Sequence, residues 1–178
     1  RIGLIWVAAT EGLAVLRQVS WKVYAFGTAA LFGYHLIYFS ALRLAPPAEA
    51  SLIAYLWPLL IVLLSGLLPG ERLNRWHMFG AVIAFAGAAL IVARGGLSAS
   101  ADSLPGYGLA FLCALIWSGY SLLSRRMGAV PTAAVAVYCL ASAALSALAH
   151  LALEDTLWPG SLGGWGAIIA LGLGPVGL

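Results

Sequence analysis

Charge is scarce in this sequence: 8% of its 178 residues are Asp, Glu, Lys or Arg, against about 25% in an ordinary soluble domain. A soluble globule of this size needs charged surface to stay dispersed, and here 63% of the residues are apolar. The shortage excludes a cytosolic enzyme, a nucleic-acid-binding protein and a disordered tail. A formal net charge of +3 is too small and too scattered to form a phosphate-binding patch. Cysteine is almost missing as well. Cys113 and Cys139 both lie inside apolar runs, which gives neither a disulfide framework nor a Cys-x-x-Cys metal spacing. No metal or other cofactor is therefore expected. No His-Glu-x-x-His, Gly-x-Ser-x-Gly or Walker sequence occurs, so nothing supports an intramembrane hydrolase or an ATPase. What the chain has in quantity is apolar length, with a mean hydropathy of +1.00. Its expected solvent is the lipid bilayer.

Five runs have the length of about 20 residues that a bilayer demands: 24–42, 48–68, 76–93, 107–123 and 132–153. A short apolar stub at 2–9 precedes them, and a sixth run begins near Trp165. The predicted fold is all-α, a polytopic membrane helix bundle. Apolar segments recur to the last residue, which no signal peptide explains. A chain that opens on Arg1 and stops within an apolar run is expected to be a fragment. The breaks carry helix punctuation. Pro46 and Pro47 stand where a helix starts, at positions whose N–H has no intrahelical partner. Pro69–Gly70 closes a run, 95–105 is a polar loop, Pro131 opens the next helix and 158–164 is a turn region. Loops this short make neighbouring helices antiparallel.

Orientation follows from Lys and Arg, counted loop by loop. One alternate set holds Arg17 and Lys22, Arg72 and Arg75, and Arg125 and Arg126; the other holds Arg43 and Arg94, with nothing basic around Glu154 and Asp155. The first set is expected on the cytoplasmic side. Trp21, Tyr24, Trp76, Tyr107, Trp158 and Trp165 fall at or near run ends, where amphipathic rings settle at headgroups, and are read as interfacial anchors.

A second aromatic set falls near mid-membrane. Tyr34 and Tyr38 are four residues apart and share a helical face, with His35 beside them. Tyr55 and Trp57 directly precede Pro58, and Trp117 and Tyr120 form an i, i+3 pair flanked by Ser118 and Ser121. A buried Tyr hydroxyl needs a partner, so either each ring packs between helices or several rings line one cavity. Six such residues on three helices favour the cavity. Ionisable groups within spans face a cavity or a partner, so His35 either bridges two helices or meets a ligand. Pro58 removes a helical hydrogen bond and frees the Ala54 carbonyl, and broken helices of this kind occur at midplane transporter sites. On a straight helix Tyr55 and Trp57 point to nearly opposite sides; Trp57 is favoured for the cavity. Glu49, at the start of its run, is read as a helix N-terminal acid.

Two patterns are read as structural. Gly80, Ala84 and Ala88 repeat at four-residue spacing, which suits close helix approach. Gly172, Gly174 and Gly177 match G-x-G-x-x-G, yet no strand precedes them and Pro175 interrupts the run, which points to a broken membrane helix.

The runs Gly33-Tyr-His-Leu-Ile-Tyr-Phe-Ser-Ala-Leu, Leu44-Ala-Pro-Pro-Ala-Glu-Ala-Ser-Leu-Ile-Ala-Tyr-Leu-Trp-Pro-Leu-Leu and Pro69-Gly-Glu-Arg-Leu resemble the drug/metabolite transporter superfamily, EamA-domain type. Together with Trp117-Ser-Gly-Tyr-Ser and the run from Gly172 to Leu178, they look most like its branch of YddG-type aromatic amino acid exporters. The resemblance implies ten helices in two inverted repeats of five, with both termini cytoplasmic and a central substrate cavity. On that template residues 1–95 close the first repeat and 96–178 begin the second, from the end of helix 2 into helix 8. The first helix and the last two would lie outside this chain. It further implies substrate contacts from His35, Tyr38, Tyr55, Trp57 and Trp117; the mid-span reading adds Tyr34 and Tyr120 to the substrate-binding residues, with helix breaks at Pro58 and Pro175. The expected function is export of aromatic or other apolar amino acids across the bacterial inner membrane by alternating access. An exporter of other metabolites or drugs in the same superfamily, and a non-transporting membrane scaffold, are the alternatives. A small-multidrug type of proton coupling needs a membrane-embedded Glu, and the 107–123 run has no acid.

Overall fold

The computed structural model describes residues 13–66, 68, 74–94, 101–128 and 130–173. Among these residues there are helices and no strands. After a 3-10 turn at Leu13–Gln18 come α1 (Trp21–Leu44), α2 (Pro47–Ala54), α3 (Trp57–Ser65), α4 (Arg75–Arg94), α5 (Leu104–Ser124), α6 (Ala133–Leu153) and α7 (Leu162–Leu173). In hydrocarbon every backbone N–H and C=O must be paired within the protein, which is why apolar runs of this length become helices. Four described helical segments are long and apolar enough to cross a membrane: Trp21–Leu44, Pro47–Ser65, Ala101–Ser124 and Ala133–Leu153. The third run of the sequence, 76–93, forms α4, a 20-residue helix. Gly172 falls near the end of α7, while Gly174, Pro175 and Gly177 lie outside the described residues.

The chain packs as two compact units, Arg1–Phe32 with Val130–Leu178, and Gly33–Ala129. Helix α1 contributes its first half to one and its second half to the other.

In the first unit the Tyr24 hydroxyl donates to the Leu16 carbonyl at 2.7 Å, and its ring meets Tyr138 edge-on at 6.0 Å. Gly27 is where α1 and α6 come together: a Cβ there would lie 2.5 Å from the Tyr138 ring. Tyr24 therefore packs within the protein as well as marking a helix end. At the far end of α6, the two ring nitrogens of His150 meet the Glu154 carboxylate at 2.6 Å and the Thr156 hydroxyl at 2.9 Å. Trp158 and Trp165 stack on each other at 5.7 Å across the turn into α7.

In the second unit α5 packs against α2 and α3, and α4 lies against the same two helices. The core is built of small side chains: Ala41, Ala45, Ala50, Ala54, Ala110 and Cys113, with Tyr34, Ile37, Tyr38 and Tyr107 around them. Small residues let helix backbones approach closely, which supplies dispersion contacts where lipid removes the hydrophobic drive for helices to associate. Gly106 marks the closest approach. A Cβ there would come within 2.6 Å of the Ala45 Cβ and 2.7 Å of the Leu44 carbonyl carbon. The stripe that packs on α5 is Gly106, Ala110, Ala114, Ser118 and Leu122, all buried and four residues apart. The Gly80–Ala84–Ala88 stripe of α4 behaves differently. Gly80 has open space around its Cα and Ala84 is exposed; among the described side chains of α4 the half-buried ones are Ala81 and Ala89, one residue further round the helix.

Candidate functional site

The second unit brings most of the mid-span rings together. Tyr34 and Tyr38 stack along α1 with centroids 5.8 Å apart and planes 12° from parallel, as the i, i+4 spacing on a helix allows. The Tyr34 ring also lies 5.4 Å from Trp117 of α5. Trp117 in turn meets Trp57 of α3 edge-on at 6.5 Å and Tyr120 at 5.7 Å. Trp117 is thus the hub of a continuous ring path from Tyr38 to Trp57, drawn from three helices. Contacts of this kind contribute about 0.5–1.5 kcal/mol each beyond their buried area. His35 stands at the rim, its ring edge-on to Tyr34 at 5.5 Å and 6.3 Å from Phe39.

The helix interruption ahead of Pro58 decides which neighbouring ring joins this path. Pro58 has no N–H, and its ring would collide with the carbonyl four residues earlier. Helix α2 accordingly ends at Ala54, Tyr55 and Leu56 form a turn with Leu56 N–H donating to the Ile53 carbonyl at 3.1 Å, and α3 restarts at Trp57. Trp57 is half-buried and reaches Trp117, while Tyr55 is 68% exposed and stands outside the ring path.

Hydroxyls tie the rings to the scaffold. The Tyr38 and Ser51 hydroxyls share a hydrogen bond of 2.9 Å that links α1 to α2. The Ser118 hydroxyl lies 3.0 Å from the Trp57 carbonyl and 2.6 Å from the Ala114 carbonyl, so one proton serves two acceptors on two helices. The Cys113 thiol faces the Tyr34 carbonyl at 3.6 Å. Ser51 was not a candidate from the sequence; its only signal was its place one helical turn before Tyr55. Phe39 was not one either, although its ring touches both His35 and Tyr38.

A polar pair lies beyond the rings. Glu49, in the first turn of α2, is buried and accepts a hydrogen bond from the Tyr107 hydroxyl of α5. The helix-end placement of Glu49 holds, and the structure adds burial and an interhelical donor. Tyr107 is therefore more than an interfacial anchor. A buried carboxylate must be hydrogen-bonded or paired, and Tyr107 supplies one such bond. No cluster of three His, Cys, Asp or Glu side chains fit to hold a metal occurs among the described residues.

Residues 2–93 match the model of the EamA-like transporter family. This chain belongs to that family. A curated relative, the aromatic amino acid exporter YddG of Ancylobacter novellus, is 55% identical over 97% of this chain and 60% of its own length. The pseudopaline exporter CntI of Pseudomonas aeruginosa is 32% identical over 79% of this chain and 48% of its own length. A crystal structure of a protein 51% identical in sequence superposes with a TM-score of 0.86, covering 99% of this chain and 61% of that one. The chain spans about three fifths of the length of the most similar of these relatives. Family membership and the apolar helices make this a multi-pass membrane protein of a transporter family.

Proposed function

We propose that the protein exports aromatic or similarly apolar amino acids across the bacterial inner membrane. The observation that carries the reading is the ring path through Tyr38, Tyr34, Trp117 and Trp57, drawn from three helices around a helix break. Trp57, Trp117 and Tyr38 stack on the ligand side chain. His35 at the rim and the hydroxyls of Tyr34, Tyr55 and Tyr120 orient its polar end. The likeness to an aromatic amino acid exporter supports this assignment. Transport proceeds by alternating access, with two repeats rocking about the site, the first closed by residues 1–95 and the second begun by 96–178, and with the loops carrying Arg17 and Lys22, Arg72 and Arg75, and Arg125 and Arg126 on the cytoplasmic side.

A second reading, export of another small metabolite, is favoured by the likeness to the pseudopaline exporter. Binding to the intact protein in detergent separates the two, with tryptophan, leucine, glutamate and a cationic dye as ligands. Saturable binding of tryptophan that Trp117→Ala abolishes supports the aromatic site. Preference for glutamate or the dye supports the second reading, and no saturable binding at all points to a membrane scaffold. Orientation is tested on a Cys-free background with single cysteines at Asn74 and Asp102. An impermeant maleimide on intact cells is expected to label position 102 and spare 74; the reverse pattern overturns the orientation.

A further inference from the structure

Ser118 is fully buried in α5, and its hydroxyl has more than one use. A helical serine satisfies itself by donating to the carbonyl one turn back. Ser40 does so with Leu36 and Ser121 with Trp117, at 2.8 Å in each case. Ser118 does the same with Ala114 at 2.6 Å, but it also faces the Trp57 carbonyl, 3.0 Å away on another helix. That second contact is not needed to satisfy the serine. It acts on its acceptor.

The acceptor stands at the break between α2 and α3. Trp57 is the first residue of α3, directly after the Tyr55–Leu56 turn and before Pro58, which donates no hydrogen bond back to α2. A continuous helix would set the direction of α3 through its own hydrogen bonds; a broken one takes it from its neighbours. Ser118 is also the residue next to Trp117. A single hydroxyl therefore holds the backbone of one tryptophan from a position one residue away from the other, and the two rings meet edge-on at 6.5 Å.

We infer that Ser118 is a positioning residue for the aromatic site, fixing the spacing of Trp57 and Trp117 and with it the preference for a flat ring over a branched aliphatic side chain. This rests on the reading of the ring path as the ligand site. Without the hydroxyl, α3 turns at its break, the ring pair loosens, and a planar ligand loses more than a flexible one.

The test uses the intact protein in detergent, with tryptophan and leucine as ligands. The variants are Ser118→Ala and the nearly isosteric but weakly donating Ser118→Cys, with Ser121→Ala as a control whose hydroxyl bonds only within α5. Both Ser118 variants are expected to weaken tryptophan binding about fivefold while leucine affinity moves less than twofold. Ser121→Ala is expected to match the wild type. Equal losses for both ligands together with a lowered Tm reduce Ser118 to a packing role and overturn the proposal. Wild-type selectivity in both variants, while Trp117→Ala has lost binding, also overturns it and leaves the site reading standing. Normal binding by Trp117→Ala removes the site reading, and the positioning role with it. Should Ser118→Ala fail to fold, Ser118→Cys decides by the same criteria.

Discussion

Helices α4 and α5 are nearly the same length and both are apolar, and each carries small residues at four-residue spacing. They end up in different surroundings. α5 buries Gly106, Ala110, Cys113, Ala114, Ser118 and Leu122. α4 leaves Trp76, Met78, Phe79, Val82, Ile83 and Leu90 exposed in this chain. What distinguishes them is polar and aromatic chemistry on the packed face. α5 carries Tyr107, Ser118 and Trp117, each meeting a specific partner on another helix: Glu49, the Trp57 carbonyl and Tyr34. α4 has Arg75 stacked over the neighbouring Trp76 ring at 5.8 Å and Trp76 against Phe79, contacts made within its own first turn. Small-residue spacing permits close approach, but it does not select which helix is approached.

The comparison can be broken at its strongest point by Gly106→Val. The branched side chain meets backbone at Leu44 and Ala45, which cannot swing aside, so a loss of about 3 kcal/mol is expected. It is read as a lowered unfolding midpoint in detergent. A stable Gly106→Val protein would mean that the approach of α5 to the α1–α2 turn is slack. Next in size is Tyr107→Phe, which deprives the buried Glu49 of one donor. A lowered midpoint is expected, measured by the same thermal unfolding, and an unchanged midpoint would show that Glu49 does not depend on that bond.

The smallest effects belong to α4. Gly80 has open space, so Gly80→Ala is expected to gain up to about 1 kcal/mol through helix propensity. A marked loss there would show that the Gly80 stripe is a packing surface after all. Trp76→Phe, at an exposed first turn, is expected to stay within about 0.5 kcal/mol. If it instead matches Tyr107→Phe in size, the contrast between the two helices disappears.

Much of the candidate site was legible in the sequence because its cues are local. The Tyr34–Tyr38 stack follows from i, i+4 spacing, and the interruption before Pro58 follows from the missing N–H. The interhelical pairings were not legible. Nothing in the spacing of Ser51 or Ser118 announces that one meets Tyr38 and the other the Trp57 carbonyl, since a serine on an isolated helix would donate to its own backbone. Tyr107 had the position of an interfacial ring, and only the approach of α2 to α5 turns its hydroxyl to Glu49.

By itself, the sequence determined the solvent, the helices and the break between α2 and α3. These depend on composition, run length and a proline, quantities that each segment carries whatever lies beside it. The tertiary structure alone decided which face of each apolar helix is buried and which rings meet. It also placed Trp57, and not Tyr55, against Trp117. The physical reason is that lipid and the interior of a helix bundle are almost equally apolar. Hydropathy cannot tell a lipid-facing Leu from a packed one, and the choice falls to steric fit and hydrogen bonds between segments far apart in the chain.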